Sequence, residues 1–134
     1  MKRVLIDTDI SSYFFKGNPK VITHFESYLD FFDSIEISLI TYYEITSGLL
    51  AKKAMRQLKV FEQFVDEIRI IPLTEKFSKI SAELFALLRK DGKTLDDIDL
   101  LIAGVAIEND LVLVTNNEKH FDRIPNLKIE NWTL

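Results

Sequence analysis

The sequence predicts an α/β protein: a central parallel sheet of four or five strands, covered on both faces by helices in a three-layer α/β/α arrangement. Two observations predict it. The short, wholly apolar runs Val4-Leu5-Ile6 and Leu111-Val112-Leu113-Val114 have the character of strands buried on both faces. Between the strand-like segments lie stretches with apolar residues at helical spacing, so strands and helices alternate and right-handed crossovers follow. A chain of 134 residues, 47% hydrophobic, can bury a core as one domain over residues 1–134. No linker, repeat or low-complexity tract interrupts it.

In chain order, the first strand ends at Asp7. A short helix follows through Tyr13-Phe14-Phe15, and Gly17-Asn18-Pro19 breaks it. Val21, Ile22, Phe25, Tyr28 and Leu29 mark a second helix. Ile35, Ile37 and Leu39 alternate with Glu36 and Ser38, which predicts a second strand over residues 35–40. Thr41 is expected to open a helix running to about Ala54, and Met55, Leu58, Phe61 and Val65 stripe the next. Ile68, Ile70 and Ile71 form a third strand, closed by Pro72. Phe77, Ile80, Leu84, Leu87 and Leu88 form a long amphipathic helix that stops near Asp91-Gly92. Ile98, Leu101, Ile102, Val105 and Ala106 make another helix face. The fourth strand is residues 111–114, and residues 127–129 form a short edge strand before Trp132.

The chain has no cysteine, which removes disulfides, thiolate zinc sites and cysteine nucleophiles and fits a reducing cytoplasm. The apolar run after Met1-Lys2-Arg3 is too short for a signal peptide or a membrane span, so a soluble, cytoplasmic protein is expected. With 17 Lys+Arg against 21 Asp+Glu the net charge is −4. A general nucleic-acid binder is more often basic. Local patches then matter more than the sum.

Three acids stand near strand-to-helix junctions: Asp7, Glu44 and Asp99. In an open parallel sheet the carboxyl ends of the strands face one crevice. Carboxylates gathered there repel one another, and a hard divalent cation resolves the repulsion. Each has a structural alternative. Asp7 is also placed to cap the following helix, unless Asp9 does so. Thr41-Tyr42-Tyr43-Glu44 matches a capping box. Asp99, after Asp96 and Asp97, sits where a helix dipole favours acids. Thr115-Asn116-Asn117 closes the fourth strand with ordinary turn residues that are also able to hold a water or a phosphate. His24 and His120 lack metal-ligand spacing. Among four glycines there is no phosphate-binding loop, and no serine or threonine has a nucleophile motif. Lys52, Lys53, Arg56 and Lys59 form the densest basic cluster. With 52, 56 and 59 expected on one helical face, they read as a solvated surface or as a track for phosphates or an acidic partner.

In this order, these segments resemble the PIN-domain ribonucleases, and most closely the VapC-type toxins of toxin–antitoxin pairs. VLIDTDISSYFFKG is similar to the opening segment, with its aspartate at Asp7. ISLITYYEITSGL is similar to the second, with its glutamate at Glu44 and a glycine at Gly48. DLLIAGVAI is similar to the third, with an aspartate at Asp99. LVLVTNNEKHF with IPNLKIENW is similar to the closing segment. The chain departs from the pattern at Asn117, the fourth acidic position, at His120, where Asp often precedes the closing Phe, and at Gly104, where alanine is usual. The resemblance implies an Mg²⁺- or Mn²⁺-dependent ribonuclease with Asp7, Glu44 and Asp99 as metal ligands; on that reading Asn117 and Thr115 are expected to orient a water or substrate oxygen. It also implies a homodimer and a cognate antitoxin inserting a C-terminal segment over the crevice. Two other readings stay open: a haloacid-dehalogenase-type phosphatase with Asp7 of Asp7-Thr8-Asp9 as nucleophile, and a catalytically degenerate domain that binds RNA or protein.

Overall fold

The chain alternates as the apolar pattern requires. The elements are β1 (Val4–Ile6), α1 (Thr8–Phe15), α2 (Pro19–Leu29), β2 (Glu36–Ser38), α3 (Leu39–Ala51), α4 (Met55–Val65), β3 (Arg69–Ile71), α5 (Glu75–Lys90), α6 (Asp97–Glu108), β4 (Val112–Val114), α7 (Glu118–Phe121) and β5 (Ile129–Glu130). The structure is a computed structural model that describes residues 2–134. All strand pairs are parallel: β1 with β4, β4 with β5, and β2 with β3. β1 and β4 are buried at every residue, as their unbroken apolar runs predict.

Side chains of successive strand residues point to opposite faces, and two apolar clusters form accordingly. Leu5 and Leu113 join Phe77, Leu84, Leu100 and Phe121 on one side. Val4, Ile6, Val112 and Val114 join Val21, Phe25, Tyr28 and Phe61 on the other. Helices therefore cover both faces, and the three-layer arrangement is the one the sequence predicts.

Three details differ from the expectation. First, the backbone ladder is interrupted: β1, β4 and β5 form one hydrogen-bonded sheet and β2 with β3 a second. β2 lies beside β1 without a ladder between them. Side chains bridge that seam. Arg3 Nη2 donates to both oxygens of Glu36, at 2.6 and 2.7 Å. Val4 N donates to the Tyr28 hydroxyl (3.1 Å) rather than to a neighbouring strand. Glu36 is only 5% exposed, so its position in an alternating strand does not put it in solvent. Removing Arg3 strands a buried carboxylate with, among the described residues, Arg69 at 3.8 Å as its remaining cationic partner. Arg3→Ala is expected to destabilise by about 2 kcal/mol in urea titration, the desolvation cost of an underpaired buried charge.

Second, Leu39 and Ile40 are helical rather than strand residues. Ser38 caps α3, its Oγ accepting from Thr41 N at 3.0 Å. Thr41 is thus inside the helix, and the capping box expected at Thr41–Glu44 does not form. Third, α3 ends at Ala51 rather than near Ala54. Lys53 takes φ 55°, Lys53 N donates to Leu50 O, and Ala54 N donates to Leu49 O, a Schellman termination. The basic cluster therefore spans a helix break, with Arg56 and Lys59 on α4, and does not form one face of one helix. All four residues are exposed.

Gly104 explains the close approach of α5 and α6. A Cβ there would collide with Ser81 Oγ and lie 2.9 Å from Phe77 O. The backbone oxygen cannot rotate away. Gly104→Ala is expected to cost about 1–3 kcal/mol despite the better helix propensity of alanine. The cost should shrink in a Ser81→Gly background, read by denaturation as a double-mutant cycle.

Candidate active site

Leaving β1, the chain moves to β2 on one side; after β3 it crosses to β4 on the other. The crevice at the carboxyl ends of β1 and β4 is therefore the topological switch point, where ligands bind in open parallel sheets. Asp7 follows β1 and Thr115 follows β4, and the register joins Ile6 to Val114. Asp7 N donates to Val114 O (2.9 Å), which fixes the two residues side by side.

Asp7 caps the helix that follows it and also faces β4. Its Oδ1 accepts from Thr8 N (2.8 Å) and caps α1. Its Oδ2 accepts from the Thr115 hydroxyl (2.8 Å). It is 6% exposed, and burial pushes its pKa up to about 7, with the nearby charges of Asp9 and Asp99 adding to the rise. Hydrogen bonds from Thr115 and Thr8 oppose it. Carboxylates shifted in this way cluster at functional sites.

Glu44 reaches the same place from α3. Its Oε1 accepts from the Thr8 hydroxyl (2.6 Å). Thr8 Oγ1 also lies 3.1 Å from Thr41 Oγ1, and Thr41 is fully buried. The residue next to Asp7 in sequence thus ties Glu44 to β1. Asp99 comes from the first turn of α6, and burial raises its pKa while His120 pulls it back. Asp99 Oδ2 lies 3.2 Å from His120 Nδ1, which is 2.7 Å from Asn117 Nδ2. Asn117 N in turn donates to Thr115 Oγ1 (3.0 Å). One chain of contacts therefore runs from Asp7 through Thr115, Asn117 and His120 to Asp99.

Thr115 is 0% exposed, and its hydroxyl is committed to Asp7. It holds Asp7, and it accepts from Asn117 N on its other side. Asp9 is not the helix cap. Its Oδ2 accepts from Asn116 N (2.9 Å), drawing the loop after β4 toward α1, and its pKa is also raised by burial. Thr8, Asp9 and His120 join the network although the sequence marked them for other reasons: Thr8 and Asp9 adjoin the strand-ending acid, and His120 lies one helical turn after Asn117. His24 is remote from the acids and stacks on Trp132, centroids 5.3 Å apart.

Donor chemistry tests whether these residues suit a metal ion. Asp7, Glu44 and Asp99 offer only oxygen, which suits a hard cation, and Asp7 resists ionisation without one. Among the described residues no three His, Cys, Asp or Glu side chains draw together as a ligand set.

The model of the PIN domain matches residues 4–127. This chain belongs to the PIN domain family. Its sequence is similar over nearly the whole chain to curated relatives. It is 34% identical to Ribonuclease VapC2 of Rickettsia felis, covering 96% of each chain. It is 30% identical to the tRNA(fMet)-specific endonuclease VapC of Salmonella typhimurium, covering 98% of this chain and 99% of that one. Among solved structures, VapBC2 from Rickettsia felis, bound to a DNA fragment from its promoter, matches this PIN domain with TM-score 0.86 at 33% identity, covering 96% and 98% of the two chains. DNA-bound VapBC from Salmonella typhimurium matches with TM-score 0.88 at 28% identity, covering 98% and 99%. The phosphatase and binding-only alternatives gain no support from these matches.

Proposed function

We propose that this PIN domain is a divalent-metal-dependent ribonuclease, the toxin of a toxin–antitoxin pair. The observation that carries the proposal is the network that links Asp7 to Glu44 by way of Thr8, and Asp7 to Asp99 by way of Thr115, Asn117 and His120, at the switch point of a PIN fold. Support for the substrate class comes from relatives named as ribonucleases over nearly their whole length.

Asp7, Glu44 and Asp99 would hold Mg²⁺ or Mn²⁺, one or two carboxylates directly and the rest through water, the mode Mg²⁺ favours. The ion would supply charge neutralisation and a more acidic water for in-line hydrolysis of the phosphodiester. The chain's own residues supply placement. Thr115 and Thr8 keep Asp7 and Glu44 aimed, and the Asn117 amide is the neutral group that orients a water or phosphate oxygen. The leaving group is the ribose 3′-oxygen, which gives 5′-phosphate products. No step needs the 2′-hydroxyl, so the preference for RNA resides in binding.

An antitoxin partner is favoured by the VapBC complexes among the structural neighbours. A homodimer is favoured by the apolar side chains that α3 leaves uncovered: Leu39, Tyr43 and Leu50 are 40%, 63% and 50% exposed. Among the described residues no helix is long and apolar enough to cross a membrane.

Labelled RNA incubated with the purified protein tests the proposal. Cleavage to 5′-phosphate and 3′-hydroxyl ends with Mg²⁺ or Mn²⁺, stopped by EDTA, is expected. Cleavage that ignores EDTA, or yields cyclic phosphates, would contradict it.

A further inference from the structure

We infer that His120 is a positioning residue of the acid site: its Nδ1 fixes the carboxylate with which Asp99 meets a divalent cation. The inference rests on the metal-dependent reading above and adds a residue to it. Its basis is an asymmetry among the three acids. Asp7 has two local donors, Thr8 N and the Thr115 hydroxyl. Glu44 has the Thr8 hydroxyl. Asp99 has His120 alone: among the described residues no other group donates to its carboxylate. Without that contact, a half-buried aspartate in the first turn of α6 is free to rotate about its side-chain torsions.

His120 is well placed for the task. It lies on α7, directly after the β4 loop that carries Thr115 and Asn117, so one segment of chain holds Asp7 through Thr115 and Asp99 through His120. Nδ1 carries at most one proton. Directed to Asp99, it makes the stronger, charge-assisted bond. Asn117 Nδ2 lies 2.7 Å from the same nitrogen, so with the Nδ1 proton on the Asp99 side the Asn117 amide is the group that turns its oxygen toward it. The neutral Nδ1–H tautomer serves as well as the imidazolium, so the role is one of geometry. Partners that orient metal ligands typically change metal affinity by about 10- to 100-fold when removed.

The test is Mn²⁺ titration followed by the electron-spin resonance of the free ion, with melting temperatures measured in EDTA. Asparagine at 120 places its Nδ2 where the imidazole Nδ1 stands; glutamine places its amide nearer the Nε2 position. His120→Ala and His120→Gln are expected to weaken Mn²⁺ binding by about 10-fold or more. His120→Asn is expected to stay within about threefold of the wild type, because it restores the donor. The melting temperature without metal should hardly move, since the His120 side chain is 46% exposed. Wild-type affinity in His120→Ala, or an equal loss in His120→Asn, overturns the inference while leaving the metal site standing. A wild type with no Asp7-dependent Mn²⁺ uptake overturns the metal reading, and this inference with it.

Discussion

Asp7→Asn is expected to abolish RNA cleavage and, at pH 8, to raise the melting temperature of the metal-free protein. Both effects have one cause. Asp7 is buried at the switch point with Asp9 and Asp99 close enough to raise its pKa, so its negative charge is unfavourable until a cation offsets it. Asparagine keeps an acceptor for Thr8 N and a polar group toward Thr115, so the fold has no reason to collapse. It cannot offer an anionic ligand. Loss of about 4 kcal/mol of transition-state stabilisation corresponds to a fall on the order of a thousandfold in rate. A labelled-RNA assay and a thermal melt of the same sample measure the two effects. Stability gained together with activity lost identifies a residue kept for function rather than folding. Wild-type cleavage by Asp7→Asn would remove Asp7 from the site.

The metal-free protein is expected to lose stability as pH rises from about 4 to above 7. Asp7 in the folded state titrates at about 7 against an ordinary 3.8, raised first by burial. The folded form therefore holds the proton more tightly than the unfolded form. The stabilising contribution is complete below the unfolded pKa, declines by up to about 1.4 kcal/mol per pH unit between the two values, and is gone above 7. Asp9 and Asp99 shift upward for the same reason and add to the slope. Denaturant titrations in EDTA from pH 5 to 8 should follow this decline. Adding Mn²⁺ at pH 8 should reverse much of it, because the ion binds the folded form and competes with protons. Stability that is flat or rises over this range would contradict the account of Asp7.

The opening and closing segments were the most legible in the sequence. Unbroken apolar runs specify doubly buried strands, and the first polar residue after each, Asp7 or Thr115, necessarily sits at the crevice. Glu44 was legible as a candidate and misread in its contacts. The Thr41–Glu44 spacing is that of a capping box, but Ser38 three residues earlier captured the cap and released Glu44 toward Thr8. Two hydroxyl residues competed for one role, and tertiary context chose between them. The break after Ala51 was hidden because Lys53 takes a left-handed conformation that glycine usually marks. The seam between β1 and β2 was also hidden. Apolar patterning reports burial and not whether backbone groups pair, and the Arg3–Glu36 bridge spans 33 residues of sequence. His120 stood out in the closing segment, but its contact with Asp99 was hidden because it depends on the turn that returns α7 toward α6.

Calorimetric titration of Mn²⁺ into the wild type, Asp7→Asn, Glu44→Gln and Asp99→Asn tests most directly whether acids from three separate segments act as one cation site. The account predicts saturable binding by the wild type and a loss of about tenfold or more in each variant. Binding of wild-type strength in all three variants would contradict it.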